Sequence, residues 1–224
     1  MAFKTLEWIL PEIIVCLNGT LPDTNTFHRL RPIPIAAADG AAVQLREKNV
    51  LPQYIVGDLD SLAHDRAYWE ENKQIEIVEI GDQNSTDFEK TLDYVAKRNC
   101  RSILVVGMHG GEFDHTLNNW SILMRYGKTR NIVFYEKGKI AIPLYESVQV
   151  AAKEGEMISL IPQPSAVLTT SGLEWNLNKE ELSLGLKEGA RNRAIANQIT
   201  IELHSGAILL FIKAELPYMP QIAY

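Results

Sequence analysis

Cysteine is scarce. Cys16 and Cys100 are the only two in 224 residues, which excludes a disulfide framework and leaves no Cys/His pattern for a zinc site. Cys16 sits in an apolar run (Ile13-Ile14-Val15-Cys16-Leu17) and reads as a buried thiol. Long apolar stretches are missing too. The nearest, Ile9 to Leu17, is interrupted by Pro11 and Glu12, so no bilayer-crossing segment and no membrane partner are expected. Met1-Ala2-Phe3-Lys4 has none of the basic, apolar and small-residue pattern of a secretory leader, which makes the cytoplasm the expected location. Basic residues are outnumbered, 22 against 28 acidic, for a net charge of −6. That argues against a nucleic-acid binder, which needs a basic face. His28, His64, His109 and His204 show no metal-ligand spacing. There is no G-x-x-x-x-G-K-[ST] loop, no G-x-G-x-x-G fingerprint and no protein-kinase motif set.

What is present is an alternation. Short apolar runs at Ile13 to Leu17, Ile35 to Ala38, Tyr54 to Val56, Ile75 to Ile80, Ile103 to Val106 and Ile132 to Tyr135 read as strands. Helical spacing falls between them, as in Phe88, Leu92, Val95 and Ala96, and again in Leu117, Trp120 and Met124. Strand and helix in alternation predict a mostly parallel sheet covered on both faces. After about residue 145 the helical spacing fades. Met157 to Ile161, Ala166 to Thr169, Gln198 to Leu203 and Ala207 to Ile212 read as strands, with a hairpin turn expected at His204-Ser205-Gly206. The expected division is therefore an α/β domain over 1–140 and an all-β domain, a small antiparallel sheet or sandwich, over 145–224. The stretch from Lys137 to Val150, with Gly138 and Pro143, marks the boundary.

In an open α/β sheet, ligands bind beyond the carboxyl ends of the strands. The segments that follow the first five strands are Asn18-Gly19, Asp39-Gly40, Gly57-Asp58-Leu59-Asp60-Ser61, Gly81 to Asp87, and Gly107 to His115. Four of these five carry aspartate close to glycine. Carboxylates gathered at one sheet edge repel each other unless a cation lies among them. Mg²⁺ suits that position, because it accepts one or two carboxylates and takes further ligands from substrate phosphates. Taken singly, each residue has an ordinary structural reading. Asp60 or Ser61 caps a helix, Thr86-Asp87-Phe88-Glu89 is a capping box, Asp39-Gly40 is a turn, and His115 packs. Recurrence at successive strand ends favours a function for the set, and Asp58-Leu59-Asp60 is its most specific member.

At this point a family becomes recognisable. Asp39-Gly40-Ala41, Gly57-Asp58-Leu59-Asp60-Ser61, Ser85-Thr86-Asp87-Phe88-Glu89-Lys90 and Gly110-Gly111-Glu112-Phe113-Asp114-His115 resemble, in order, the motifs of thiamin pyrophosphokinases. So do Leu17-Asn18-Gly19, Ser159-Leu160-Ile161-Pro162 and the run from Thr169 to Leu177. The resemblance implies an α/β Rossmann-like N-terminal domain that holds ATP and Mg²⁺, followed by an all-β sandwich C-terminal domain that binds thiamin. It implies a homodimer with active sites at the subunit interface. The reaction would be ATP + thiamin → thiamin diphosphate + AMP. Asp58, Asp60, Asp87 and Asp114 become catalytic, with Asp58, Asp60 and Asp87 as Mg²⁺ ligands. Asn18, Gly19, Asp39, Gly40, Thr86, Gly110, Gly111 and His115 become the ATP side, and Ser171, Trp175 and Asn192 the thiamin side. For Trp175 the residues alone favour ordinary sandwich core over a cover for a cationic ring.

The chain departs from the family pattern in places. Glu112 stands where the family's G-G-R-x-D-H has arginine, Ala41-Ala42-Val43 replaces Gly-Ala-Asn, and Arg191-Asn192 replaces Ser-Asn. Two other readings remain open on the residues: the same metal–ATP chemistry on another alcohol, and a non-catalytic thiamin- or nucleotide-binding regulator.

Overall fold

The computed structural model describes residues 3–62 and 66–222. His64 lies outside the described residues. The chain opens with β1 (Lys4–Ile9), which belongs to a compact unit completed only from Gly127 onward. Between them, Leu10–Tyr126 forms a second compact unit.

Leu10–Tyr126 runs β2 (Ile13–Cys16), α1 (Thr24–Arg29), β3 (Ile35–Ala38), α2 (Asp39–Glu47), β4 (Tyr54–Gly57), a 3₁₀ turn (Asp60–Leu62), α3 (Arg66–Glu71), β5 (Glu76–Glu79), α4 (Asp87–Lys97), β6 (Ser102–Val106) and α5 (Phe113–Tyr126). The strands pair in parallel in the order β6-β2-β3-β4-β5. β2 and β6 are buried along their whole length, which is why they read as unbroken apolar runs. β5 ends the order and has no fully buried residue. The chain steps outward from β2 through β3, β4 and β5, then returns to β2's other side as β6. The order therefore reverses between β2 and β6.

α4 forms as its local sequence dictates. The Thr86 hydroxyl accepts from the Glu89 amide and the Glu89 carboxylate accepts from the Thr86 amide, a complete capping box. Phe88, Leu92 and Val95 are its buried face. α5 departs from expectation. The helix is present, but its buried residues are Ile122 and Leu123, and Leu117 is exposed. Asp39-Gly40 also departs from the turn reading, since Asp39 is the first residue of α2.

The other unit adds to β1 the strands β7 (Asn131–Glu136), β8 (Lys139–Leu144), β9 (Val148–Ala151), β10 (Met157–Ser171), β11 (Glu180–Ser183), β12 (Gly189–Arg193), β13 (Gln198–Lys213) and β14 (Met219–Ile222). β7, expected with the α/β half, sits here, paired antiparallel to β8. The long strands β10 and β13 organise the unit, and β10 alternates buried and exposed positions as a half-covered strand should. They pair with each other, β13 also pairs first with β9 and then with β8, and β10 also pairs with β11 and β12. The hairpin expected at His204-Ser205-Gly206 is instead a bend inside one continuous strand. Gly206 has φ +81°, and a side chain there would collide with the Ser165 carbonyl. Pro162 and Pro164 likewise fall within β10, beside a register shift, rather than between two strands.

Candidate functional site

A cleft of about 720 Å³ opens at the carboxyl ends of the parallel strands, where the strand order reverses. Its lining comes from every strand end of that sheet: Asn18 and Gly19 after β2, Gly40 after β3, Asp58 after β4, Thr86 and Asp87 after β5, and Gly111, Glu112, Asp114 and His115 after β6. Leu17, Phe88 and Met108 give it an apolar portion.

The carboxylates are not equivalent. Asp39 is 1% exposed; its Oδ2 accepts from the Ser61 amide at 3.0 Å, and its Oδ1 has no partner. Burial raises its pKa, and the nearby charges of Asp87 and Asp58 raise it further against the lowering effect of the Ser61 hydrogen bond. Asp58 and Asp87 are joined through one ammonium. Lys90 Nζ lies 3.4 Å from Asp58 Oδ2 and 3.1 Å from Asp87 Oδ1. Burial opposes the lysine's charge, but Asp87 and Asp58 outweigh that and raise its pKa. Asp114 and His115 are exposed on the cleft wall at the start of α5, with Asp114 Oδ1 accepting from the His115 amide at 2.9 Å.

Asp60 takes a different place. Leu59, between the two aspartates, has φ +66°, a conformation that costs a bulky residue about 1–3 kcal/mol. Beyond it Asp60 begins the 3₁₀ turn, exposed, and is not among the residues lining the cleft. Asp58 lines the cleft and Asp60 does not, with one strained residue between them. Among the described residues, no group of three His, Cys, Asp or Glu is gathered tightly enough to hold a metal ion by itself. Still, Asp58 and Asp87 share a single ammonium, and both interact electrostatically with Asp39, which keeps an unpartnered buried oxygen. That hard-oxygen set carries surplus negative charge and fits a divalent cation such as Mg²⁺.

Asp39 makes a testable contribution to stability. Its folded-state pKa is raised, so the ionised form is disfavoured by folding. Metal-free protein is then stabilised at low pH and loses stability as pH rises through that raised pKa, above the ordinary carboxylate range. Asp39→Asn should flatten this dependence in melting curves recorded with EDTA. An unchanged pH profile would contradict the placement.

Residues on the ATP side are accounted for by backbone geometry. The Gly19 amide donates to Gly107 O at 2.8 Å and the Thr20 amide to His109 O at 2.5 Å, stitching the loops after β2 and β6 together. Asn18 accepts from the Gln44 amide at 3.2 Å through both its side chain and its carbonyl. Gly110 has φ +94°, and Gly111 faces open space. Lys90 went unassigned in the sequence reading, although its spacing of three from Asp87 on one helix face was there to see.

The β unit holds the other candidates. The loop after β10 is tied down on several sides: Glu174 N donates to Arg193 O at 2.8 Å, Leu177 N to Thr170 Oγ1 at 2.9 Å, and Leu173 N to Asn176 Oδ1 at 3.1 Å. Asn192 is buried, and both ends of its amide are spent on main chain. Nδ2 donates to Trp175 O at 2.7 Å, and Oδ1 accepts from Trp175 N at 3.2 Å and Arg193 N at 2.8 Å. The result is a fixed backbone bearing an indole that is 60% exposed. Trp175 is therefore not core, contrary to the reading its residue type favoured. Asn192 holds the Trp175 main chain through both its amide oxygen and its amide nitrogen. Ser171, at the end of β10, is exposed.

Residues 33–135 match the family model for the thiamin pyrophosphokinase catalytic domain, and residues 139–208 match that for the thiamin pyrophosphokinase vitamin B1 binding domain. Over 93% of its length the chain is 31% identical to Thiamine pyrophosphokinase 1 of Oryza sativa subsp. japonica, covering 81% of that protein. The chain belongs to the thiamin pyrophosphokinase family. Thiamine pyrophosphokinase 1 of Arabidopsis thaliana is 30% identical, over 91% of this chain and 79% of its own. The fold agrees with that of solved structures. Thiamin pyrophosphokinase from Geobacillus thermodenitrificans superposes with a TM-score of 0.75 at 21% identity, covering 92% of this chain and 98% of its own. The yeast enzyme gives 0.76 at 18% identity, covering 91% and 86%. Within the family's two segments, the aspartates from Asp39 to Asp114 fall in the catalytic match, and Ser171, Trp175 and Asn192 in the vitamin B1 binding match. The first match ends at residue 135 and the second begins at 139.

Proposed function

We propose that the protein transfers the pyrophosphoryl group of ATP to the hydroxyl of thiamin, giving thiamin diphosphate and AMP. The observation that carries this is the cleft at the strand-order reversal, which draws Asp58, Asp87 and Lys90 together beside the Asn18-Gly19 and Gly110-Gly111 loops in a member of this family. In this reading the Leu10–Tyr126 unit is a Rossmann-like ATP domain and the strand-rich unit a sandwich that binds thiamin. The working form is a cytoplasmic homodimer with its active sites at the subunit interface.

Asp58 and Asp87, with the buried Asp39 beside them, would hold Mg²⁺; Asp60, expected as a further ligand, does not line the cleft. When bound, the ion neutralises charge on the polyphosphate and polarises the phosphoryl oxygens. The chain's own residues do the rest. The Gly19, Gly110 and Gly111 backbone lets the phosphates approach main-chain amides closely. Lys90 keeps a fixed positive charge in the cleft wall. Thr86 and His115 stand beside the phosphates. Asp114 is one of the carboxylates available to the thiamin hydroxyl proton. Attack of that hydroxyl on the β-phosphorus, with AMP leaving, then depends on in-line positioning more than on covalent help from the protein. Trp175 offers a flat π face to a cationic ring.

Exposure separates two of the three thiamin-side residues, Trp175 and Asn192. Trp175→Ala should raise KM for thiamin about tenfold, since a cation–π contact is worth roughly 1–2 kcal/mol, and leave the melting temperature nearly unchanged. Asn192→Ala should raise the same KM and also destabilise the fold by about 1–3 kcal/mol, because three main-chain groups lose their partner. A large stability loss in Trp175→Ala would contradict the exposed placement. The reaction itself is tested by offering thiamin and other primary alcohols with ATP and Mg²⁺. Product from thiamin alone, abolished by EDTA, supports the proposal. Preference for another alcohol, or thiamin binding with no AMP released, would replace it.

A further inference from the structure

Lys90 stands in an unfavourable place for a lysine. Its side chain is 3% exposed, an expensive state for an ammonium unless well paired. It lies in the first turn of α4, where the helix dipole opposes a cation. The helix does not need it. Thr86 and Glu89 already cap that end, and Phe88, Leu92 and Val95 already pack it. Apart from Asp39, Lys90 is the only charged residue buried among those described, and it is the only Lys or Arg among the described residues lining the cleft.

What it touches explains it. Its two ion-pair partners come from different strand ends, Asp58 after β4 and Asp87 after β5, 32 and 3 residues away in sequence. These are two of the three carboxylates assigned above to the divalent ion. Without a cation, Asp58, Asp87 and the neighbouring Asp39 would repel one another. We infer that Lys90 is a resident counterion. Its ammonium holds Asp58 and Asp87 as a pair while no metal is bound, and it loosens from them when a divalent ion takes them over. This rests on the metal reading of the cleft. Two consequences follow from one charge. Lys90 stabilises the metal-free protein more than the loaded one. It also weakens metal binding in the absence of nucleotide, so that the ion is held firmly only once polyphosphate oxygens join the carboxylates.

The test uses the full chain with neither ATP nor thiamin. Mn²⁺ serves as the probe, its binding followed by calorimetry, and melting is recorded in EDTA and in saturating Mg²⁺. Lys90→Met and Lys90→Gln should bind Mn²⁺ at least roughly tenfold more tightly than the unaltered protein, because a like charge beside the ion is gone. Their melting temperatures should fall in EDTA and largely recover in Mg²⁺, while Lys90→Arg should follow the unaltered protein in both. A neutral variant that folds only with metal present is the same result in extreme form. Equal destabilisation with and without metal, unchanged or weaker Mn²⁺ affinity in both neutral variants, or failure to fold under either condition would overturn the inference and leave Lys90 as an anchor for α4. Tighter Mn²⁺ binding alongside absent thiamin diphosphate formation would sink the reaction proposed above and not this inference.

Discussion

Asp58→Asn and Asp87→Asn, each made alone, should lower turnover by about 10²–10³-fold, the usual cost of losing one preorganised electrostatic contact in an active site. Both carboxylates line the cleft and share Lys90, so each substitution removes a formal charge and one carboxylate oxygen while barely changing volume. The fold should survive. Asp58 and Asp87 are 28% and 36% exposed, and whichever remains still pairs with Lys90. The stability cost should then stay near 1 kcal/mol, as for partly exposed ion pairs, rather than reach the several kcal/mol of an abandoned buried charge. Steady-state rates and melting curves on the same preparations check both halves. Near-normal turnover in both variants would remove these residues from the chemistry.

Gly19→Ala should be the most damaging small substitution in the cleft. A Cβ at Gly19 would overlap the carbonyl oxygens of both His109 and Gly107, which are main chain and cannot rotate away. The same carbonyls accept from the Gly19 and Thr20 amides, so relief of the clash breaks the bonds that join the loops after β2 and β6. The expected loss is about 3 kcal/mol or more, at the upper end of overpacking effects. ATP affinity should fall with it, because those loops form one side of the cleft. Gly111→Ala is the matching control. Nothing lies within 4 Å of a Cβ there, so stability should stay within about 0.5 kcal/mol. A stable Gly19→Ala protein with normal ATP affinity would contradict the account of this loop.

Local chemistry was legible in the sequence. The unbroken apolar runs became β2, β3 and β6, and Thr86 with Glu89 formed the capping box the pattern announces. The aspartates after successive strands were legible as a group for the same reason: a parallel sheet sends all those ends to one edge. What depends on distant partners was not. Lys90 gains its second carboxylate partner only once β4 brings Asp58 to it. Leu59 reads as an ordinary apolar residue, yet its positive φ parts Asp58 from Asp60. Leu117 and Trp120 set a helical period for α5, but which face is buried is settled by what packs on the helix, and that is Ile122 and Leu123. β10 and β13 looked like pairs of short strands because proline and glycine usually end a strand. Here they mark a register shift and a bend within strands of 15 and 16 residues. Trp175 needed the structure most, since an indole in a β-rich segment belongs to the core by composition and to solvent by position.

The central claim is pyrophosphoryl transfer, attack at the β-phosphorus with AMP as the leaving group. Phosphorus NMR of purified protein with ATP, Mg²⁺ and thiamin tests it most directly, because it resolves every phosphorylated product at once. AMP and thiamin diphosphate appearing in equal amounts, and neither appearing after EDTA, is the predicted result. ADP accompanied by thiamin monophosphate, or AMP with free pyrophosphate and unmodified thiamin, would contradict it.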